Sequence, residues 1–151
     1  MKFWDSSALL PLLVNEPIGK QLRQTLAGDP QVLAWWSSRI EMASALARRE
    51  RDGLLTPAEA NAAFLALQRL SEAWEEVSPS DLIRATALRL LRTHPLRAAD
   101  SLQLAAAVVA SGREPASLEF VCLDDRLGDA ARREGFPVIT VAKTSGHPGK
   151  P

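Results

Sequence analysis

The chain has 151 residues, 46% of them hydrophobic and 24% charged, with a formal net charge of zero. That is one domain's length, with enough apolar residues for a proper core. The balanced charge does not announce a strongly basic nucleic-acid binder, though a local basic rim can still serve a nucleic-acid substrate. The single cysteine, Cys122, excludes an internal disulfide and a cysteine-based zinc site.

In chain order, Lys2 to Trp4 reads as a short first strand that ends on Asp5. Ser7 to Val14 reads as a short helix bent at Pro11. Pro17 opens a helix to about Ala27, and Gln31 to Trp35 is a second strand. Ser37 to about Asp52 is helical, with Ile40, Ala43 and Ala47 at helical spacing. Thr56-Pro57-Ala58-Glu59 is a capping box with proline at the first helical position. The helix it opens carries Ala60, Phe64, Leu67 and Leu70 on one face. Trp74 to Val77 is a third strand. Ser78-Pro79-Ser80-Asp81 signals a helix to about Arg92. Ala98 to Ala110 is a helix apolar on nearly all sides, so it belongs in the interior. Glu119 to Leu123 is a strand, Asp125 to Glu134 a helix closed by Gly135, and Pro137 to Val141 the last strand.

Strands alternating with helices give one α/β domain, residues 1–142. The expected architecture is a three-layer sandwich around a central, mostly parallel sheet of four or five short strands. The stretch 143–151 is polar, with Gly and Pro, and reads as a flexible tail. No apolar run is long enough to span a membrane, and no signal sequence opens the chain. A cytoplasmic protein without membrane attachment is expected.

In parallel sheets, functional groups collect beyond the carboxyl ends of the strands. Asp5 ends the first strand. Asp124, followed by Asp125, ends the strand Phe120-Val121-Cys122-Leu123. Asp100 lies in the first turn of the buried helix, and Glu41 in the first turn of the helix after the second strand. Helix starts face the same edge, so four acids point at one region. Each alone has another explanation, because Asp caps helices and suits the helix dipole. Together they repel one another and call for shared protons or cations. Oxygen-only ligands suit Mg²⁺, or Mn²⁺, rather than zinc. Neither His94 nor His147 falls in the constellation. Cys122 sits in an apolar run and reads as core. Of the 18 cationic residues 14 are arginine, a bias that a GC-rich genome or phosphate binding would both produce.

With these residues in place the chain resembles the PIN-domain family, and within it the VapC-type toxins of toxin–antitoxin systems. The matching segments are Phe3-Trp4-Asp5-Ser6-Ser7-Ala8-Leu9, Arg39-Ile40-Glu41-Met42-Ala43-Ser44-Ala45-Leu46-Ala47-Arg48-Arg49, Leu96-Arg97-Ala98-Ala99-Asp100-Ser101-Leu102-Gln103-Leu104-Ala105-Ala106-Ala107 and Val121-Cys122-Leu123-Asp124-Asp125-Arg126-Leu127, the last continuing into Ala130-Ala131-Arg132-Arg133-Glu134-Gly135. The resemblance covers roughly residues 1–141. It implies that Asp5, Glu41, Asp100 and Asp124 form an acidic Mg²⁺ site (Mn²⁺ possible), with Ser6 and Ser7 in support, and that the reaction is hydrolysis of RNA; with Asp5 read as a ligand, Ser6 or Ser7 is left to cap the first helix. It implies as partners an RNA substrate, a cognate antitoxin and a second copy of the chain. Members often carry His where this chain has Gln103. Asp124 fits the family register for the fourth acid, and Asp125 is left as the helix cap or a partner of Arg126. Arg39, Arg48, Arg49 and Arg97 are the cations nearest the acids in sequence. The helices between Ser37 and Leu70 offer a surface to a partner. Two rival readings stand beside this one. The first is a catalytically silent PIN-like module that binds RNA or protein. The second is another Mg²⁺ enzyme on a doubly wound fold, which Asp5-Ser6-Ser7 fits poorly.

Overall fold

A computed structural model describes residues 1–142. The expected tail, with His147, lies outside the described residues. The strands are β1 (Lys2–Trp4), β2 (Val32–Trp35), β3 (Glu75–Val77), β4 (Phe120–Val121) and β5 (Val138–Ile139). The helices are α1 (Ser6–Leu9), α2 (Pro17–Gly28), α3 (Ser38–Arg51), α4 (Pro57–Ala73), α5 (Asp81–Thr93), α6 (Ala98–Ala110) and α7 (Asp125–Arg133). Short 3₁₀ turns cover Leu10–Leu12 and Pro115–Ser117.

All five strands are parallel, in the order β3-β2-β1-β4-β5. The first strand is therefore central, with Phe3 opposite Leu33 on one side and Phe120 on the other. From β1 the chain winds outward through β2 and β3, then returns to build β4 and β5 on the opposite side. The winding reverses between β1 and β4, which opens a crevice at their carboxyl ends.

Side chains alternate across a strand, and the core divides accordingly. Phe3, Leu33 and Phe120 face α5, α6 and α7, where Ile83, Leu90, Leu104 and Leu127 meet them. Phe3 and Phe120 stack with ring centroids 5.2 Å apart. Trp4, Val32, Ala34 and Val121 face α1 to α4, among Leu9, Leu22, Met42, Leu46 and Leu67. This is a three-layer sandwich with both sheet faces covered, as all-parallel sheets require. The interior placement of α6 is borne out, since Leu104, Ala105, Ala106 and Ala107 are fully buried.

Several local expectations change. The helix expected over Ser7–Val14 is one α-turn followed by a 3₁₀ turn at Pro11. Proline has no N–H to continue the α-ladder. On α4 the buried stripe is Ala60, Ala63 and Leu67, while Phe64 and Leu70 are only half-buried. The last two strands shrink to two residues each. His94 joins α5 to α7: its Nε2 lies 2.7 Å from Glu134 Oε1, and Arg89 donates to both Glu134 oxygens. No helix among the described residues is long and apolar enough to cross a membrane.

Candidate acidic site

Three of the four acids are fixed by backbone amides at helix starts. Asp5 caps α1, its Oδ2 accepting from Ser7 N at 3.0 Å. Asp100 Oδ2 accepts from Arg97 N at 3.4 Å in the first turn of α6. Asp124 caps α7, its Oδ1 accepting from Leu127 N at 2.8 Å. These bonds correct two expectations. The cap of the first helix is Asp5 itself rather than Ser6 or Ser7, and the cap of α7 is Asp124 rather than Asp125, which is the first residue inside the helix. Capping and gathering turn out to be compatible, because a carboxylate accepts about four hydrogen bonds and a cap takes one.

Glu41 is held differently. Its Oε1 accepts from Ser37 Oγ at 2.7 Å. Its Oε2 accepts from Ser6 Oγ at 2.8 Å and from Gln103 Nε2 at 3.2 Å. Ser7 takes no part in this; its Oγ accepts from Leu123 N at 3.0 Å and fastens the exit of β4 to α1. Ser37 and Ser38 are site residues that the sequence reading passed over. The signal was present, since a hydroxyl four residues before an acid on a helix start can reach it.

The electrostatics tie the acids into one field. Burial pushes the Asp5 carboxyl up to about 6, and the negative charges of Glu41 and Asp100 add to it. Asp5 is only 3% exposed. Burial also raises Asp100, with the charges of Asp124 and Glu41 adding and Arg97 opposing. Asp124 is solvent-exposed and Glu41 half-buried. Cys122 lies against the centre, its Sγ 3.8 Å from Asp5 Oδ2, and burial raises its thiol far above the reactive range.

A polar cleft of about 580 Å³ opens here, lined by Arg97, Asp100, Asp124, Asp125 and Arg126 among others. A groove of about 650 Å³ lined by Val14, Arg49, Leu55 and Ala63 holds none of the four acids. Of the arginines expected near the site, Arg97 lines the cleft and Arg39 sits in the first turn of α3. Arg48 and Arg49 belong to the last turn of α3, and Arg49 pairs with Glu16 instead. About two turns of helix separate them from Glu41. Arg126 supplies a cation to the cleft that the sequence reading had only paired with Asp125.

Among the described residues, no group of three or more His, Cys, Asp or Glu side chains is placed so that it could hold a metal ion by itself. Asp100 and Asp124 line the cleft, while Asp5 and Glu41 are not among its lining residues and are tied to Asp100 through charge. That donor set fits Mg²⁺, which keeps several of its waters and takes one or two carboxylates directly. It does not suit a cation that needs a closed shell of protein ligands. Asp5 gives the fit a specific reason: it is a buried carboxyl, forced toward protonation, whose bonded partners are uncharged. A divalent cation would return it to the ionised form.

The family model for the PIN domain matches residues 2–133. Comparison with curated proteins gives no match. Several solved structures share the fold. A toxin–antitoxin complex from Klebsiella pneumoniae superposes with a TM-score of 0.61 at 17% identity, covering 93% of this chain and 97% of the other. FitAcB from Neisseria gonorrhoeae gives 0.64 at 16% identity, with the same 93% and 97% coverage. VapC20 of Mycobacterium tuberculosis, described as a toxin that cleaves the sarcin–ricin loop, gives 0.62 at 22% identity, covering 90% and 96%.

Proposed function

Since the chain belongs to the PIN-domain family, we propose that it is a Mg²⁺-dependent ribonuclease and the toxin of a toxin–antitoxin pair. What supports this is the shared field of the acids: Asp5 is raised by burial and by the charges of Glu41 and Asp100, and Asp100 by burial and by the charges of Asp124 and Glu41, with Asp100 and Asp124 lining one cleft. A purely structural set of caps has no need to share a field. The fold neighbours support the biology, because their descriptions are of toxins and toxin–antitoxin complexes.

Asp5, Asp100 and Asp124 would hold the cation, with Mn²⁺ as a substitute and Glu41 acting through water. When bound, Mg²⁺ supplies charge neutralisation at the scissile phosphate and a lowered pKa for an attacking water. The chain's own groups do the rest. Arg97 and Arg126 stand at the cleft to pair with phosphate oxygens, which guanidinium forks suit. Glu41, with both oxygens anchored, presents a fixed acceptor that orients the proton of a water. Trp36 lies one residue before Ser37 and is 49% exposed, so its aromatic face is open to an unpaired base of the RNA.

The proposed protein partners are an antitoxin and a second copy of the chain. Between α3 and α4, Ile40, Phe64 and Leu65 line an apolar groove, with Ile40 63% exposed. A surface of this kind supports a protein partner.

The test is incubation of the purified protein with total RNA in Mg²⁺ and in EDTA, beside Asp5→Asn and Asp100→Asn. Cleavage is expected in Mg²⁺ alone. Each variant should lose about 10²–10³-fold in rate, several kcal/mol of transition-state stabilisation, while staying folded. Either variant cutting as fast as the parent refutes the site. RNA binding without cleavage in any metal would establish the silent-module reading instead.

A further inference from the structure

We infer that Gln103 is a positioning residue, whose amide fixes the Glu41 carboxylate relative to Asp100. The inference rests on the metal-dependent site proposed above. Gln103 is 1% exposed, on α6, where the residues that follow it are Leu104 and three alanines. Its Nε2 donates to Ser38 Oγ at 3.0 Å and to Glu41 Oε2 at 3.2 Å. Its Oε1 is buried and has no partner among the described residues. An orphaned buried carbonyl is unfavourable, and Leu or Met would fill the same space without it. What the amide offers in exchange is the donor. The orientation is set by the acid, since turning the amide over would bring Oε1 against Oε2 of Glu41.

The need for that donor follows from how the other acids are held. Asp5, Asp100 and Asp124 each accept a backbone N–H, so their positions follow from their helices. Glu41 has one more rotatable bond and is held by side chains from other segments. Ser6 brings α1, Ser37 the turn after β2, and Gln103 brings α6. Gln103 lies three residues beyond Asp100, on the same helix face. Its bond therefore couples the acid of α6 to the acid of α3. A carboxylate has about four acceptor positions. Three are taken from within the protein, which leaves Glu41 one free direction in place of a rotating group.

The experiment compares the full chain with Gln103→Met, close in size but without a donor, and with Gln103→His, whose Nε2–H extends about as far. The readouts are Tm in EDTA, Mn²⁺ affinity by calorimetric titration without RNA, kcat and KM, and the crystallographic position of Glu41. For Gln103→Met, Tm should stay within about 3 °C, the scale of a 1 kcal/mol change. Mn²⁺ affinity and kcat should fall about 10–100-fold, the usual effect of losing a partner behind the ligands, and KM should hold within about twofold. Gln103→His should recover most of both. Unchanged Mn²⁺ affinity and kcat in Gln103→Met overturn the inference, as does a large drop in Tm that His fails to repair, which marks a packing role. If the parent neither binds Mn²⁺ nor cuts RNA, the functional reading fails. Positioning is then decided by the crystal structure of Gln103→Met: an unmoved Glu41 refutes it.

Discussion

Replacing Asp5 by Asn should stabilise the metal-free protein at neutral pH. Asp5 sits at about 6 in the fold against 3.8 for the free side chain, chiefly because burial disfavours its charge. A raised folded pKa stabilises the fold only while the group is protonated. The benefit is complete below pH 3.8 and is lost as pH climbs through 6. A shift of roughly two units corresponds to about 3 kcal/mol. Asn keeps the oxygen that caps α1 through Ser7 N and carries no charge. Its amide nitrogen needs a partner in a tight site, so the net gain should be about 1–3 kcal/mol at pH 8. For a chain of this size that is roughly 3–10 °C in Tm. The assay is thermal unfolding of both proteins in EDTA from pH 4 to pH 8. The curves should coincide near pH 4 and separate as pH rises, with the variant more stable. In Mg²⁺ the parent should gain stability and the variant much less. Parallel profiles, or a variant less stable at pH 8, would show that Asp5 is not a buried charge in an acidic field.

Trp36→Ala should raise KM for single-stranded RNA about tenfold, within the 1–3 kcal/mol usual for a base on an aromatic face, and leave kcat near the parent's. An unchanged KM removes Trp36 from the RNA path. Gly19→Val should cost about 1–3 kcal/mol in denaturant unfolding, because a Cβ there would lie 2.5 Å from Pro11 O; a neutral result means that α2 can slide on the 3₁₀ turn. Glu134→Gln should cost about 1 kcal/mol, discounted for the half-exposure of Arg89. Arg89 first, and then His94, hold the Glu134 carboxyl below its usual range. Its contribution is therefore present above pH 4.5 and fades as pH falls through the folded value. A variant deficit that persists once the Glu134 carboxyl is protonated in the folded parent would point to packing instead of charge.

The sheet and the acids were legible in the sequence for the same reason. A parallel strand must end before a helix begins, so carboxylates placed at those junctions share one edge whatever the detail of the loops. The strand that carries Asp5, Lys2–Trp4, is the central one. Side-chain partnership was less legible. That Asp124, not Asp125, caps α7 depends on one residue of helix phase, and helix ends are poorly specified by residue type alone. Of the groups that hold Glu41, Ser37 is only four residues away, but Ser6 and Gln103 are distant in sequence. Gln103 was visible only as a departure from the family's pattern, since no spacing rule links position 103 to position 41. Arg48 and Arg49 misled because nearness in sequence is lost along a helix at 1.5 Å per residue.

The most direct measurement of the central claim is anomalous diffraction from a crystal of the parent protein soaked in Mn²⁺. The account predicts a peak beside Asp100 and Asp124 in the cleft they line, within ligand distance of Asp5 and with Glu41 reached through an ordered water, and no such peak in Asp100→Asn. Mn²⁺ bound only elsewhere, at the His94–Glu134 pair for example, with the cleft empty at saturating metal, would contradict it.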